Sequence, residues 1–286
     1  MHGELMATRT FTRTMATAAA LAVAALVLSP FVSWAVRVEP PSVFLDNRTN
    51  TGQVYLTNAG TVAEECTVEL RFGYPDTDSA GGIFVRMVDP TPEQPSAAAW
   101  IRAFPRRVVV PPGRRQVVRL LATPPAGLPE GEYWTRLVVT SRGAPMSLAG
   151  TDSMGRASVA LVVSTIIAVN YRNGSVRTGV ALDDFRATVE HDSLIVRLGL
   201  ARHGNAAFLG TARIQLRDAA GGPRGEWDTP MAVYYAINRR LAFPLEGVGP
   251  GSYTVHLLVN TIREDIPQSS VLPAPPIERS VAVDVR

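Results

Sequence analysis

Apolar and polar residues alternate with a period of two along most of the chain after residue 35, and no stretch keeps a helical period over any length. Such alternation predicts β-strands with one buried face. The strands predicted for the first half are Val36–Val38, Val43–Leu45, Gln53–Asn58, Cys66–Tyr74, Arg107–Val110, Gln116–Ala122, Glu132–Thr140 and Ser158–Asn170. Those predicted for the second half are Ala181–Val189, Leu194–Leu200, Phe208–Leu216, Ala232–Ile237, Leu241–Leu245, Tyr253–Asn260 and Arg279–Val285.

A Gly-x-Tyr triplet occurs once in each half, at Gly131–Tyr133 and at Gly251–Tyr253, each after a loop with proline and before an apolar strand. This is the pattern of a tyrosine corner, in which the ring packs and its hydroxyl bonds to upstream backbone. With seven or so strands in each half, the chain is predicted to be all-β, with two immunoglobulin-like β-sandwich domains. The polar turn Tyr171–Ser175 predicts the boundary, which gives domains at residues 36–172 and 173–286.

Residues 1–35 predict an export signal. Arg9 and Arg13 precede the apolar run Met15–Leu28. In Ser33-Trp34-Ala35, Ser33 and Ala35 are small residues at the two positions that a signal peptidase recognises. We expect cleavage after Ala35, so that the signal is removed from the two domains. An uncleaved anchor is the alternative, because residues 15–35 come close to the roughly 20 residues that span a bilayer.

The composition narrows the classes of function. Of the 286 residues, 46% are apolar and 19% are charged, which is typical of a globular protein. The net charge of +3, without a basic tail, gives no reason to expect a nucleic-acid partner. All 28 basic residues are arginine, so chemistry that needs a lysine, such as a Schiff base, is excluded.

No catalytic motif of the Gly-x-Ser-x-Gly, His-Glu-x-x-His, Gly-x-Gly-x-x-Gly or P-loop kind is present, so we expect a protein that is not an enzyme and has no cofactor. The single cysteine, Cys66, excludes an internal disulfide and a multi-cysteine metal site. Of the four histidines, His2 lies in the segment that we expect to be removed, and the other three are not spaced as a ligand set, so no metal is expected. Cys66 shares a predicted strand face with Val68 and Leu70, which favours a core cysteine.

The strongest basic cluster comprises Arg106-Arg107, Arg114-Arg115 and Arg119. It could face an acidic partner or lipid headgroups. The alternative is that these are solubility charges at strand ends.

Residues 100–172 contain an ordered series of short segments. These are Trp100-Ile101, Phe104-Pro105, Val108–Gly113, Gln116–Leu120, Leu128–Trp134, a long loop at 142–156, and an alternating strand that begins at Ser158 and leads to Tyr171-Arg172. In this order, behind an export signal, residues 36–172 resemble the N-terminal domain of the PapD-like periplasmic chaperones of the chaperone–usher pilus pathway. The second domain is compatible with that family in size and class.

The resemblance implies a mechanism in which the chaperone lends a strand to an incomplete subunit and inserts alternate side chains into its groove. The residues that match the donated set, with their continuation on the same strand face, are Val159, Leu161, Val163, Thr165 and Ile167. The alternative is a last strand buried in its own sheet, with Val162 and Ile166 facing the core.

The resemblance also implies a basic anchor for the subunit's C-terminal carboxylate, made by an arginine on the first strand and a lysine on the last. Those positions correspond here to Pro41 or Ser42 and to Ala168, and none is basic. Arg37 and Arg172 flank the region and are the candidate carboxylate anchor. Arg172 also matches an arginine that sets the angle between the domains through acidic partners, and Glu132 is the matching acid. A solvated linker arginine is the alternative for Arg172.

The function that follows is a non-catalytic one. The sequence predicts a periplasmic chaperone-like protein that caps pilus or surface-fibre subunits by strand donation, with an outer-membrane usher as a further partner. The alternative is a structural or adhesive module at the cell surface with a chaperone-like fold.

Overall fold

The computed structural model describes residues 36–143, 146–148, 157–159 and 162–286. The chain within these ranges is built from β-strands, and its one helical element is a 3-10 turn at Gln268–Ser270. The all-β prediction is therefore confirmed. None of the described residues forms a helix with the length and apolar character that crossing a membrane requires. The predicted export signal at residues 1–35 lies outside the described residues.

The first sandwich is formed by strands between Arg37 and Asn173. They are β1 (Arg37–Glu39), β2 (Ser42–Asp46), β3 (Thr51–Thr57), β4 (Glu64–Arg71), β5 (Gly73–Thr77), β6 (Ile83–Met87), β7 (Ile101–Phe104), β8 (Arg107–Val110), β9 (Arg115–Ala122), β10 (Gly131–Arg142), β11 (Met146–Leu148), β12 (Ala157–Val159) and β13 (Val162–Asn173). A four-stranded sheet has the order β1-β3-β9-β7, and a five-stranded sheet has the order β2-β13-β10-β4-β8. Two small hairpins, β5–β6 and β11–β12, lie outside these sheets.

The second sandwich is formed by strands between Thr178 and Val285. They are β14 (Thr178–Glu190), β15 (Ser193–Gly204), β16 (Phe208–Arg217), β17 (Pro223–Val233), β18 (Ala236–Pro244), β19 (Gly251–Asn260) and β20 (Ile277–Val285). They make a three-stranded sheet, β14-β15-β18, and a four-stranded sheet, β17-β16-β19-β20. The prediction of two β-sandwiches is confirmed.

Each sandwich has its own apolar core, filled by alternate residues of its two facing sheets. In the first, Leu56 and Leu120 of the four-stranded sheet belong to one buried cluster with Leu137 and Val169 of the five-stranded sheet. The second core has the same construction around residues such as Leu198 and Ile214. Burial of these alternating positions is the main driving force for the two sandwiches.

One predicted pair of strands is wrong. The apolar run Ala232–Ile237 is broken by a turn at Tyr234-Tyr235, and its last two residues begin β18, which also includes most of the separately predicted Leu241–Leu245. Tyr234 is buried between the two sandwiches rather than in the core of its own sandwich. An apolar residue in the sequence does not show which neighbour buries it, so the alternation alone cannot distinguish this turn from a strand.

Both predicted tyrosine corners are present. The Tyr133 hydroxyl donates to the Pro129 carbonyl oxygen at 3.0 Å, and the Tyr253 hydroxyl donates to the Gly249 carbonyl oxygen at 2.8 Å. Gly131 and Gly251, which open the two triplets, share a backbone φ of 155°. The two sandwiches therefore use the same device to fix the loop before an inner strand.

Replacing either corner tyrosine by phenylalanine removes only the hydroxyl, so Tyr133→Phe and Tyr253→Phe should each lower the free energy of unfolding by about 1 kcal/mol. The measurement is urea denaturation followed by circular dichroism. Tyr55→Phe is the matched control, since its hydroxyl donates only to the exposed side chain of Gln53. Equal effects at all three positions would contradict a special role for the corners.

Cys66 is fully buried in the first core, on the same face of β4 as Val68, as the alternation predicts. Burial raises the pKa of its thiol to about 11, and the negative charges of Glu64 and Glu65 add to the effect. The thiolate is the reactive form of cysteine, so this thiol is protected both sterically and electrostatically.

We expect iodoacetamide at mildly alkaline pH to alkylate Cys66 slowly in the native protein and quickly in guanidinium chloride. Mass spectrometry of the quenched samples gives the two rates. A cysteine introduced at the exposed Ser79, in a Cys66→Ala background, should react quickly under both conditions. Native labelling of Cys66 at the unfolded rate would refute the buried position.

Candidate functional site

The long hairpin of β10 and β13 organises the first sandwich. Twelve residue pairs join the two strands, from Gly131 opposite Asn173 to Arg142 opposite Val162. The neighbouring strands cover only parts of this ladder. On one side β4 pairs with Arg136–Arg142, and on the other β2 pairs with Ala168–Arg172.

The stagger leaves one edge of β13 unpaired. No strand in the described part of the chain pairs with Val162–Ile167 on the side away from β10. The Ala168 N–H donates to the Pro41 carbonyl oxygen on this side at 3.2 Å. Backbone groups alternate in direction along a strand, so Val162, Ser164 and Ile166 turn their N–H and C=O groups toward the same open edge.

The side chains of this segment are uncharged, and most are apolar on both faces. Val162 and Ile166 lie on the outer face and are 48% and 39% exposed. Val163 and Thr165 lie on the opposite face and are half-buried, and Ile167 is buried in the first core. The alternative in which Val162 and Ile166 face the core is therefore wrong.

The predicted donor residues fall in three situations. Val159 belongs to β12, and Leu161 lies outside the described residues. Val163 and Thr165 are on the unpaired segment, while Ile167 packs against its own domain. Donation by this set stays a prediction, and among the members whose side chains are described, Val163 and Thr165 are the two that are not already committed to the core.

The two arginines of the predicted carboxylate anchor lie in different sheets. Arg37 is on β1, and its exposed guanidinium contacts Glu39 at 3.3 Å. Arg172 is on β13, and its Nε atom donates to the Glu132 carboxylate at 2.8 Å. An anchor made of both stays a prediction, and Arg172 already uses one of its donors on Glu132.

Glu132 links the two sandwiches. Its carboxylate is fully buried, accepts the bond from Arg172, and also accepts the Ala207 N–H of the second sandwich at 3.1 Å. The Glu132 backbone N–H donates to the Asn205 carbonyl oxygen at 2.9 Å. Burial raises the pKa of the Glu132 carboxyl, while Arg172 and the Ala207 N–H oppose that shift by stabilising the charged form.

An aromatic cluster adds apolar contact between the sandwiches. Trp134 of β10 lies edge-on to Tyr234, with ring centroids 4.9 Å apart, and Tyr74 meets Tyr235 in the same way at 4.7 Å. The Tyr234 hydroxyl donates to the Asn170 side-chain oxygen at 3.1 Å. Such edge-to-face pairs stabilise beyond the area that they bury.

The β5–β6 hairpin of the first sandwich also reaches the second. The Asn238 N–H of β18 donates to the Thr77 hydroxyl at 3.0 Å, and the Arg240 N–H donates to the Gly81 carbonyl oxygen at 3.1 Å. Since β18 is an edge strand of its sheet, the hairpin satisfies part of that edge. Three separate contacts thus hold the relative position of the sandwiches.

Arg136 is a buried arginine of this interface that reading the sequence missed. Its Nε atom donates to the Gly73 carbonyl oxygen at 2.9 Å, and its guanidinium lies 4.6 Å from the centroid of the Tyr234 ring. One of its terminal nitrogens has no hydrogen-bond partner among the described residues. Arg136 stands opposite Ala168 in the ladder. The available signal was a charged residue directly before the apolar run Leu137–Val139.

Glu132→Ala should lower the free energy of unfolding by about 2–3 kcal/mol, because it leaves the Arg172 charge and the Ala207 N–H without an acceptor in a buried place. Glu65→Ala is the control, since the Glu65–Arg107 pair is exposed and should contribute less than about 0.5 kcal/mol. Chemical denaturation of both variants gives the comparison. Similar losses of unfolding free energy in Glu132→Ala and Glu65→Ala would show that Glu132 adds nothing to the interface.

No three His, Cys, Asp or Glu side chains within the described ranges are placed to share a metal ion. The chain matches no protein-family model and no curated protein. Solved structures do match it. The chaperone YadV is 13% identical, with a TM-score of 0.42 over 86% of this chain and 98% of that chain.

Two further solved structures that match this chain come from Acinetobacter baumannii and Pseudomonas aeruginosa. The complex of the chaperone CsuC with the tip adhesion subunit CsuE, from the archaic chaperone–usher Csu pili of Acinetobacter baumannii, is 12% identical, with a TM-score of 0.38 over 71% of this chain and 88% of that chain. The Pseudomonas aeruginosa CupB2 chaperone is 11% identical, with a TM-score of 0.38 over 85% of this chain and 98% of that chain. All three matches are at low sequence identity, between 11% and 13%.

Proposed function

We propose that this chain is a periplasmic chaperone-like protein that binds pilus or surface-fibre subunits through the unpaired edge of β13. The observation that carries the proposal is the segment Val162–Ile167, which has no charged side chain and, among the residues that the structure describes, no strand paired on the side away from β10. An exposed edge of this kind is normally a hazard that proteins cover or charge. Its retention here favours a partner that supplies the missing neighbour.

The binding mode would be strand addition. The outward backbone groups of Val162, Ser164 and Ile166 would bond to a strand of the partner, and these bonds would set the register. Val163 and Thr165 on one face, and Val162 and Ile166 on the other, would become buried as the partner's sheet extends over them. Burial of each large apolar side chain contributes about 1.5–3 kcal/mol before the cost of ordering both partners.

The class of partner comes from the resemblance. Pilus and surface-fibre subunits are the partners that it implies, and an outer-membrane usher is the receiver of the complex. The predicted export signal supports a periplasmic location. The interface around Glu132 supports the proposal physically, because a fixed second sandwich limits the motion of the strand that carries the edge.

A proline at position 164 tests the edge without touching the ladder to β10. The Ser164 N–H points to the open side, so Ser164→Pro removes a donor that only an added strand would use. We expect the variant to keep its fold by circular dichroism and to bind its subunit at least tenfold more weakly. Ser164→Ala is the matched control, because it loses the same hydroxyl contact with Thr140 and keeps the N–H.

The measurement is native mass spectrometry of the protein recovered from its own periplasm, with the partner identified by peptide sequencing. A stoichiometric small subunit present with the wild type and the alanine variant, and lost with proline, is the expected result. Equal recovery with all three would refute binding at this edge. A folded protein without a partner in every sample would favour the structural or adhesive surface module.

A further inference from the structure

The outer face of the four-stranded sheet carries a surface that strand addition does not use. On β7 and β9, the residues that alternate with the core point outward and are exposed. We call them the basic–apolar face, and they are Arg102, Phe104, Arg115, Val117, Arg119 and Leu121. The sheet lies on the opposite side of the sandwich from β10 and β13.

The charge of this face has one sign. Arg102, Arg115 and Arg119 have no carboxylate partner among the described residues. The one acid on the four strands of this sheet is Glu39, and Arg37 of the same strand already pairs with it. The arginine cluster noted in the sequence is divided by the fold, since Arg107 lies on β8 of the other sheet.

Large apolar side chains stand between these arginines. Phe104 is 53% exposed, Leu121 is 44% exposed and Val117 is 39% exposed. The sheet register places Leu121 opposite Arg102 and Phe104 opposite Arg119, and Val117 lies between Arg115 and Arg119 on the same face of β9. The face is therefore an interleaved array of positive charges and apolar groups.

We propose that the basic–apolar face binds the surface of an anionic phospholipid bilayer. The guanidinium groups would meet lipid phosphates, to which their forked donors are matched. Phe104, Val117 and Leu121 would enter the boundary between headgroups and acyl chains, where amphipathic protein surfaces bury their apolar side chains. A single sign of charge with protruding apolar groups is complementary to such a surface.

The position of an apolar run shortly before β1 is a second argument that this face lies near a bilayer. Eight residues separate the apolar run Met15–Leu28 from Arg37, the first residue of β1 in the same sheet. The nine steps from Leu28 to Arg37 reach at most about 32 Å when fully extended. While the run remains attached to the chain and inserted in a membrane, this sheet stays within that distance of the lipid.

The test is sedimentation with vesicles, using the chain from Val36 onward, which contains both sandwich cores. We expect binding to vesicles of equal parts phosphatidylglycerol and phosphatidylcholine, and little binding to phosphatidylcholine alone. The triple variant Arg102→Gln, Arg115→Gln, Arg119→Gln should bind the anionic vesicles about a hundredfold more weakly, at roughly fivefold for each arginine.

A second triple variant separates this face from net charge. Arg48, Arg197 and Arg279 are exposed, lie outside the face and have no carboxylate partner among the described residues, so Arg48→Gln, Arg197→Gln, Arg279→Gln makes the same change in charge. It should keep most of the vesicle binding. Equal loss in the two triple variants, or absence of wild-type binding to anionic vesicles, would overturn the proposal.

Discussion

The ladder between β10 and β13 is the constraint on which the rest of the molecule depends. Its inner face supplies Leu137 and Val169 to the first core, so its position fixes the sandwich. Its base carries Glu132 and Arg172, and therefore the contact with the second sandwich. Its far end extends beyond β2 and leaves the open edge. One pair of strands thus connects core, domain interface and candidate binding surface, because no neighbour covers its whole length.

The interface combines interactions of different physical kinds. The buried Glu132–Arg172 pair is directional and costly to desolvate, so it fixes geometry more than it adds stability. The aromatic contacts around Trp134 supply apolar burial, and the β5–β6 hairpin supplies backbone bonds at β18. Arg136 adds a buried charge without an acid among the described residues, which only stays favourable while the surrounding carbonyl and ring remain in place. Rotation of one sandwich against the other would disturb all of these contacts together.

Much of the fold could be predicted because its causes are local. Alternation identified most of the strands, and Gly-x-Tyr identified both corners, since each corner bond spans four residues. Features set by distant neighbours could not be read in this way. Tyr234 is buried against Trp134, a hundred residues earlier, and the unpaired backbone edge at Ile166 follows from the start of β2 at Ser42, opposite Ala168. The place of the buried Arg136 is likewise set by distant residues, the Gly73 carbonyl oxygen and the Tyr234 ring.

The open segment of β13 has a consequence for the protein in isolation. Val162–Ile167 reads Val-Val-Ser-Thr-Ile-Ile, in which five of six residues are β-branched and none is charged, glycine or proline. Short uncharged segments of this composition stack into cross-β aggregates when copies of a chain meet edge to edge. Because no charged gatekeeper lies within the segment, an edge left without a partner strand would favour pairing between copies of this chain. The cell would therefore need to match its supply of this chain to its supply of whatever covers the edge.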